Sequence, residues 1–220
     1  MMPNLSLESL RREAEQFSRA ESRHKEKSLF GATDGKAVGT YLEHKFKNYL
    51  GTKYNFEEGN SASGIDFPGL QVDMILFNID QPYSSHSYKS VWQKIYGVGY
   101  SLLWFVYEKI EDSKSGSATL NILYTFFINS NRTADYRTTK GLLSILENDG
   151  NKDDLMAFMF DAHLIVDESE ASELANEILA NLPELGYVGI SNALYWQRQY
   201  SKALELASQE KGIDLLFRVS

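Results

Sequence analysis

SGIDFPGLQVDMILF, Ser63 to Phe77, sets two aspartates, Asp66 and Asp73, seven residues apart in apolar, strand-like sequence. Pro68-Gly69 is a turn signal between them, and Val72, Met74 and Leu76 alternate along the stretch that follows. The pattern predicts a strand at Ile-Asp-Phe, a tight turn, and a strand over QVDMILFNI. An aspartate ahead of Phe-Pro-Gly also has an ordinary reading as a turn former or cap. Asp73 is harder to explain that way, because it interrupts an apolar series where a carboxylate needs a partner or a metal.

Outward from this hairpin the chain alternates helices and strands. Residues 5–29 read as a charged helix. Thr33 or Asp34 caps a second helix, KAVGTYLEHKFKNYL, with Val38, Leu42, Phe46 and Leu50 at helical spacing and Gly51 at its end. After the hairpin come a loop, DQPYSSHSYKS, and a helix from about Ser90 to Tyr100. SLLWFVYEKIE and TLNILYTFFIN read as strands, the first buried, on the length and aromatic content of their apolar runs. Helices are expected at about 138–148, 153–161, 168–181 and 191–211, before a last strand, IDLLFRV. The order from residue 34 to 128 is helix, strand, strand, helix, strand, strand. It predicts an α/β fold, a mixed central sheet flanked by helices, with extra helices at both ends. We expect a single domain over 1–220, its core at about 34–130 and a helical part at about 138–220.

Composition narrows the function classes. The absence of cysteine removes disulfides, thiolate metal sites and cysteine nucleophiles. No apolar run reaches the roughly 20 residues of a membrane span, so no membrane partner is expected. The charged N-terminus does not read as a secretory signal, and a cytoplasmic location is expected. The net charge is −8, but it is unevenly spread. Residues 1–60 carry ten Lys/Arg against nine Asp/Glu, 61–150 carry seven against nine, and 151–220 carry five against twelve. The near-neutral first two thirds can therefore present a basic cleft to a polyanion despite the acidic total.

Two carboxylates on adjacent strands are hard oxygen ligands of the kind Mg²⁺ takes in phosphodiester cleavage, where a nearby cation offsets the developing charge. The sequence helix, Gly64-Ile65-Asp66, short hairpin, Val72-Asp73, helix, strand resembles the PD-(D/E)XK family of restriction endonucleases. Its seven-residue acidic gap is similar to that of MutH-type mismatch-repair endonucleases. The resemblance spans about Gly39 to Asn129. It implies an Mg²⁺-dependent endonuclease of type II restriction enzyme type acting on double-stranded DNA as a homodimer. Asp66 and Asp73 would be its metal ligands, with Glu43 as auxiliary carboxylate. The departure is Ile75, which stands where the family carries lysine. Either Lys94 or Lys89, on or beside the next helix, supplies that charge, or the chain is a catalytically inactive nuclease-fold homologue that binds DNA or a protein partner.

Arg132, Arg137 and Lys140, in NRTADYRTTKG, form a basic loop suited to DNA contact, although such loops are commonly just solvated. The four histidines have no ligand spacing; His86 lies closest to the hairpin. GATDGK, Gly31 to Lys36, is one residue short of a phosphate-binding loop. DGNKDD, Asp149 to Asp154, lacks the glycine and glutamate of a calcium loop.

Overall fold

A computed structural model describes residues 2–59, 64–80, 83–165, 167–189, 197–199, 201–207 and 209–219. In chain order the elements are α1 (Leu7–Glu21), α2 (Gly35–Gly51), β1 (Val72–Asn78), β2 (Tyr83–Ser87), α3 (Val91–Tyr96), β3 (Ser101–Asp112), β4 (Ser117–Ile128), α4 (Tyr136–Glu147), α5 (Lys152–Asp161), α6 (Glu168–Ala180), β5 (Gln197–Gln199), α7 (Ser201–Leu206) and β6 (Ile213–Arg218).

The helix starts follow from local chemistry. Ser6 and Ser9 form a reciprocal capping box on α1, and the Asp34 carboxylate accepts the Lys36 N–H at the start of α2. Helix α3 is shorter than its sequence suggests because Gly97 turns away at φ +89°. A side chain there would meet Thr133 Oγ1 at 2.6 Å.

The chain forms two compact units. The first comprises residues 1–82, 101–128 and 207–220 and carries a four-stranded mixed sheet in the order β1-β3-β4-β6. Strand β1 runs parallel to β3, and the other two pairings are antiparallel. Helices α1 and α2 pack on this sheet, α1 against β4 and β6, α2 against β1. Their apolar stripes meet the sheet through Leu10, Phe17, Leu42, Phe46 and Leu50, all buried. Phe46 sits at the centre, its ring 4.9 Å from Phe17 and 5.2 Å from Phe105. The two helices are also tied by charge. Glu13 accepts from Lys53, Tyr49 and Tyr54, and Lys45 pairs with Glu21. Burial alone raises the Glu13 pKa, but those donors outweigh it and hold the carboxyl at about 2.

The second unit, residues 83–100 and 129–206, packs α3 to α6 around Ile95, Leu142, Leu155, Met159, Leu174 and Ile178 and pairs β2 with β5 antiparallel. The fold class matches the sequence expectation, an α/β chain with a mixed sheet flanked by helices. Further local expectations need correction, the first helix among them, which spans Leu7–Glu21 and not 5–29. Ile-Asp-Phe makes only a one-residue bridge, Phe67 to Val72, because Pro68–Leu70 is a 3₁₀ turn that returns too tightly for a full strand. The segment around His86 is strand β2 and not loop. The long helix expected over 191–211 is not continuous. Gln197–Gln199 pairs as a strand and only Ser201–Leu206 is helical, while 191–196, 200 and 208 lie outside the described residues.

Candidate active site

Asp66 is placed by the tight turn. Its carbonyl accepts the Gly59 N–H at 2.9 Å, and the Phe67 N–H donates to Val72 O. Gln71 closes the turn in the left-handed region at φ 53°, its side-chain amide donating to Pro68 O. The Asp66 carboxylate then accepts the Met74 N–H through Oδ2 at 2.9 Å. Strand β1 spends its other side on β3, with Asp73 opposite Leu102. Asp66 therefore caps the unpaired edge of the sheet, and its carboxylate is fixed in orientation.

Helix α2 delivers the remaining groups to that edge. Glu43 and Lys47 are one helical turn apart and so share a face. The Lys47 ammonium donates to Glu43 Oε1 at 2.7 Å and to Asp66 Oδ1 at 2.6 Å. Its side chain is 8% exposed, against 15% for Asp66 and 33% for Glu43. Burial pulls the Lys47 pKa down, but the hydrogen bonds and charges of Asp66 and Glu43 outweigh it and leave the value raised. Two carboxylates and one ammonium make a cluster of net charge −1, with both acids converging on a single cation.

The structure thus joins two of the sequence-predicted acids, Asp66 and Glu43, through a residue the sequence reading passed over. The one signal for Lys47 was its spacing from Glu43. It is masked by Phe46 and Leu50, which mark that part of the helix as core. Gly59 was also missed. A Cβ there would meet Ile65 O at 1.7 Å, so only glycine lets the chain run close enough to hold Asp66.

Asp73 and Ile75 lie on β1, both buried. Side chains alternate along a strand, and Val72 and Met74 belong to the core under α1 and α2. Asp73, Ile75 and Phe77 consequently point to the opposite face, where Phe77 meets Trp104 edge-on. Lys89 and Lys94 belong to the second unit. Lys89 is exposed, and its backbone N–H donates to Gln93. Lys94 is fully buried; burial depresses its pKa, and the charge of Asp135 offsets part of that. Arg132 donates to Leu185 O, pairs with Glu184 at 3.4 Å and lies over the Tyr187 ring, whereas Arg137 and Lys140 are exposed.

The donor chemistry at the β1 edge fits Mg²⁺. Among the described residues no three Asp, Glu or His side chains form a closed cage. Mg²⁺ is commonly held by one or two carboxylates, with water and substrate phosphate completing its shell. Glu43 and Asp66 supply two hard oxygens that already meet at one cation.

A family model described as "Type II restriction enzyme NspV" matches residues 4–215. The Type II restriction enzyme NspV of Nostoc sp. (strain ATCC 29411 / PCC 7524) is 56% identical to the chain over 217 residues, 99% of each sequence. No solved structure matches significantly.

Proposed function

The chain belongs to the NspV type II restriction enzyme family, and from that premise we propose that it is an Mg²⁺-dependent endonuclease that hydrolyses phosphodiester bonds in double-stranded DNA through a PD-(D/E)XK-type site. The observation that carries this reading is the meeting of Asp66 and Glu43 at the edge of β1. Asp66 and Glu43 would hold the metal in this proposal; Asp73, on the opposite face of β1, is assigned no ligand role in it. Mg²⁺ held by Asp66 and Glu43 would supply Lewis-acid polarisation of a phosphoryl oxygen and a more acidic bound water. The protein's own part is orientation. Met74 fixes the Asp66 carboxylate, and α2 fixes Glu43 one turn from Lys47. Exposed Arg137 and Lys140 are assigned to DNA backbone contact. We propose a homodimer, since a two-fold assembly suits cutting both strands of a palindrome.

The test compares cleavage of mixed-sequence DNA by the wild type, Asp66→Asn and Glu43→Gln in Mg²⁺ and in EDTA. Wild-type cleavage in Mg²⁺ alone is expected, with both variants slower by about 10²-fold or more. A wild type that cuts nothing, or variants that cut at the wild-type rate, would sink the reading. Ile75 favours a second reading, a DNA-binding homologue without cleavage. Retained DNA affinity with no cutting on any sequence would select it.

A further inference from the structure

We infer that Lys47 supplies the positive charge that Ile75 cannot, acting as the cation of the nuclease site from helix α2. The inference rests on the endonuclease reading above and adds to it a residue outside the motif.

Position 75 cannot serve. Ile75 is 2% exposed and carries no donor. On the other side of the strand edge, Lys47 already touches both acids that the proposal gives to the metal, at 2.6 and 2.7 Å. Its reach is set by the fold. The helix fixes it relative to Glu43, and the docking of α2 on β1 fixes it relative to Asp66. Burying an ammonium is costly, and ion pairs of this kind are poor sources of net stability compared with apolar packing. Apolar side chains in place of the whole Lys47–Asp66–Glu43 cluster would fill this core-adjacent position more cheaply.

The charge balance points the same way. Asp66, Glu43 and Mg²⁺ sum to zero, and a phosphodiester brings −1 to that centre. With Lys47 the site is +1 before DNA arrives and neutral after. During hydrolysis the water oxygen bonds to phosphorus and the bond to the departing sugar oxygen breaks. The water gives a proton to solvent, and the departing oxygen takes one from solvent. Lys47 transfers no proton; its charge offsets the negative charge that builds on the phosphoryl oxygens.

The test uses the full chain with Lys47→Gln, whose amide can still donate to an acid but carries no charge. Single-turnover cleavage of mixed-sequence DNA is measured across a Mg²⁺ titration, and Mg²⁺ binding to the free protein is measured by calorimetry. The saturated cleavage rate is expected to fall about 10²- to 10³-fold. Mg²⁺ binding should stay equal or tighten, because a competing cation has gone. Lys47→Arg, which keeps the charge, is expected to retain at least about a tenth of the wild-type rate. Where Lys47→Gln does not fold, Lys47→Met takes its place in the same comparison.

Three results overturn the inference while leaving the endonuclease reading intact. The saturated rate of Lys47→Gln could remain within about threefold of wild type. Its deficit could vanish at high Mg²⁺, making Lys47 a mere occupant of the metal's place. Mg²⁺ binding could be lost together with activity, making its role structural. A wild type that cuts no DNA overturns the endonuclease reading and this inference with it.

Discussion

The contact between Lys47 and Asp66 makes a quantitative prediction about stability that needs no substrate. For unit charges about 4 Å apart at an effective dielectric constant of about 20, the attraction is about 4 kcal/mol. Two features reduce what a mutation would register. Glu43, at 2.7 Å, keeps the ammonium partly paired when Asp66 is neutralised, and water reaches Glu43 and Asp66 more readily than it reaches Lys47. Halving the figure leaves a coupling of about 2 kcal/mol. In EDTA, Lys47→Met is expected to cost about 3 kcal/mol, because it leaves two facing carboxylates without a counterion. Asp66→Asn should cost about 2 kcal/mol; the amide oxygen can still accept the Met74 N–H, so only the charge is lost. The double variant should then cost about 3 kcal/mol in place of the additive 5. Urea unfolding followed by tryptophan fluorescence, with a constant slope across the four proteins, measures the cycle. Single costs that add to within about 0.5 kcal/mol would mean that Lys47 and Asp66 do not meet in solution.

Gly59→Ala is expected to slow Mg²⁺-dependent cleavage at least about tenfold, because the new methyl meets the Ile65 carbonyl and shifts the backbone that holds Asp66. Single-turnover rates check this, and an unchanged rate would show that the loop does not position the acid. Glu13 gives a pH prediction. Its folded pKa, about 2, lies below the ordinary 4.5, so its contribution is complete above about pH 4.5 and is lost as the pH falls towards 2. Its partner Lys53 has a raised pKa, so the same contact also weakens in alkali, above the ordinary lysine value of 10.5. Glu13→Gln should cost about 2 kcal/mol at neutral pH and flatten the acid limb of a melting-temperature profile. An acid limb identical to wild type would assign that loss of stability to other carboxylates.

Much of the fold was legible because its signals are local. The caps at Ser6 and Asp34, the helical spacing of Leu42, Phe46 and Leu50, and the long aromatic runs of β3 and β4 each need only neighbouring residues to be read. What failed turned on a contact distant in sequence in one place and on a tight local turn in another. The stretch containing Gln197–Gln199 has helix-like composition but pairs with β2, more than a hundred residues earlier. Ile-Asp-Phe has strand composition, yet the turn at Pro68–Leu70 leaves it a single bridge. Propensity set a preference in each case; pairing with β2 decided the first outcome and the adjacent turn the second.

The candidate acids were similarly legible and the lysine that joins two of them was not, for one physical reason. Asp66 and Asp73 advertise themselves because carboxylates in apolar sequence need an explanation. A lysine on a helix usually needs none, since its long stem lets it reach water from almost any face. Lys47 is 19 residues from Asp66, and only the packing of α2 on β1 gives that separation a length of 2.6 Å. The same packing accounts for the tolerance of isoleucine at position 75. That side chain points to the face of β1 that carries Asp73 and where Phe77 meets Trp104, so an ammonium there would not face the Asp66–Glu43 pair on the far side of the strand. Once α2 holds a charge against Asp66, the strand is free to keep an apolar residue where the motif would demand a lysine. On the proposed assignment, the departure from the motif and the buried lysine on the helix are two consequences of one helix–strand contact.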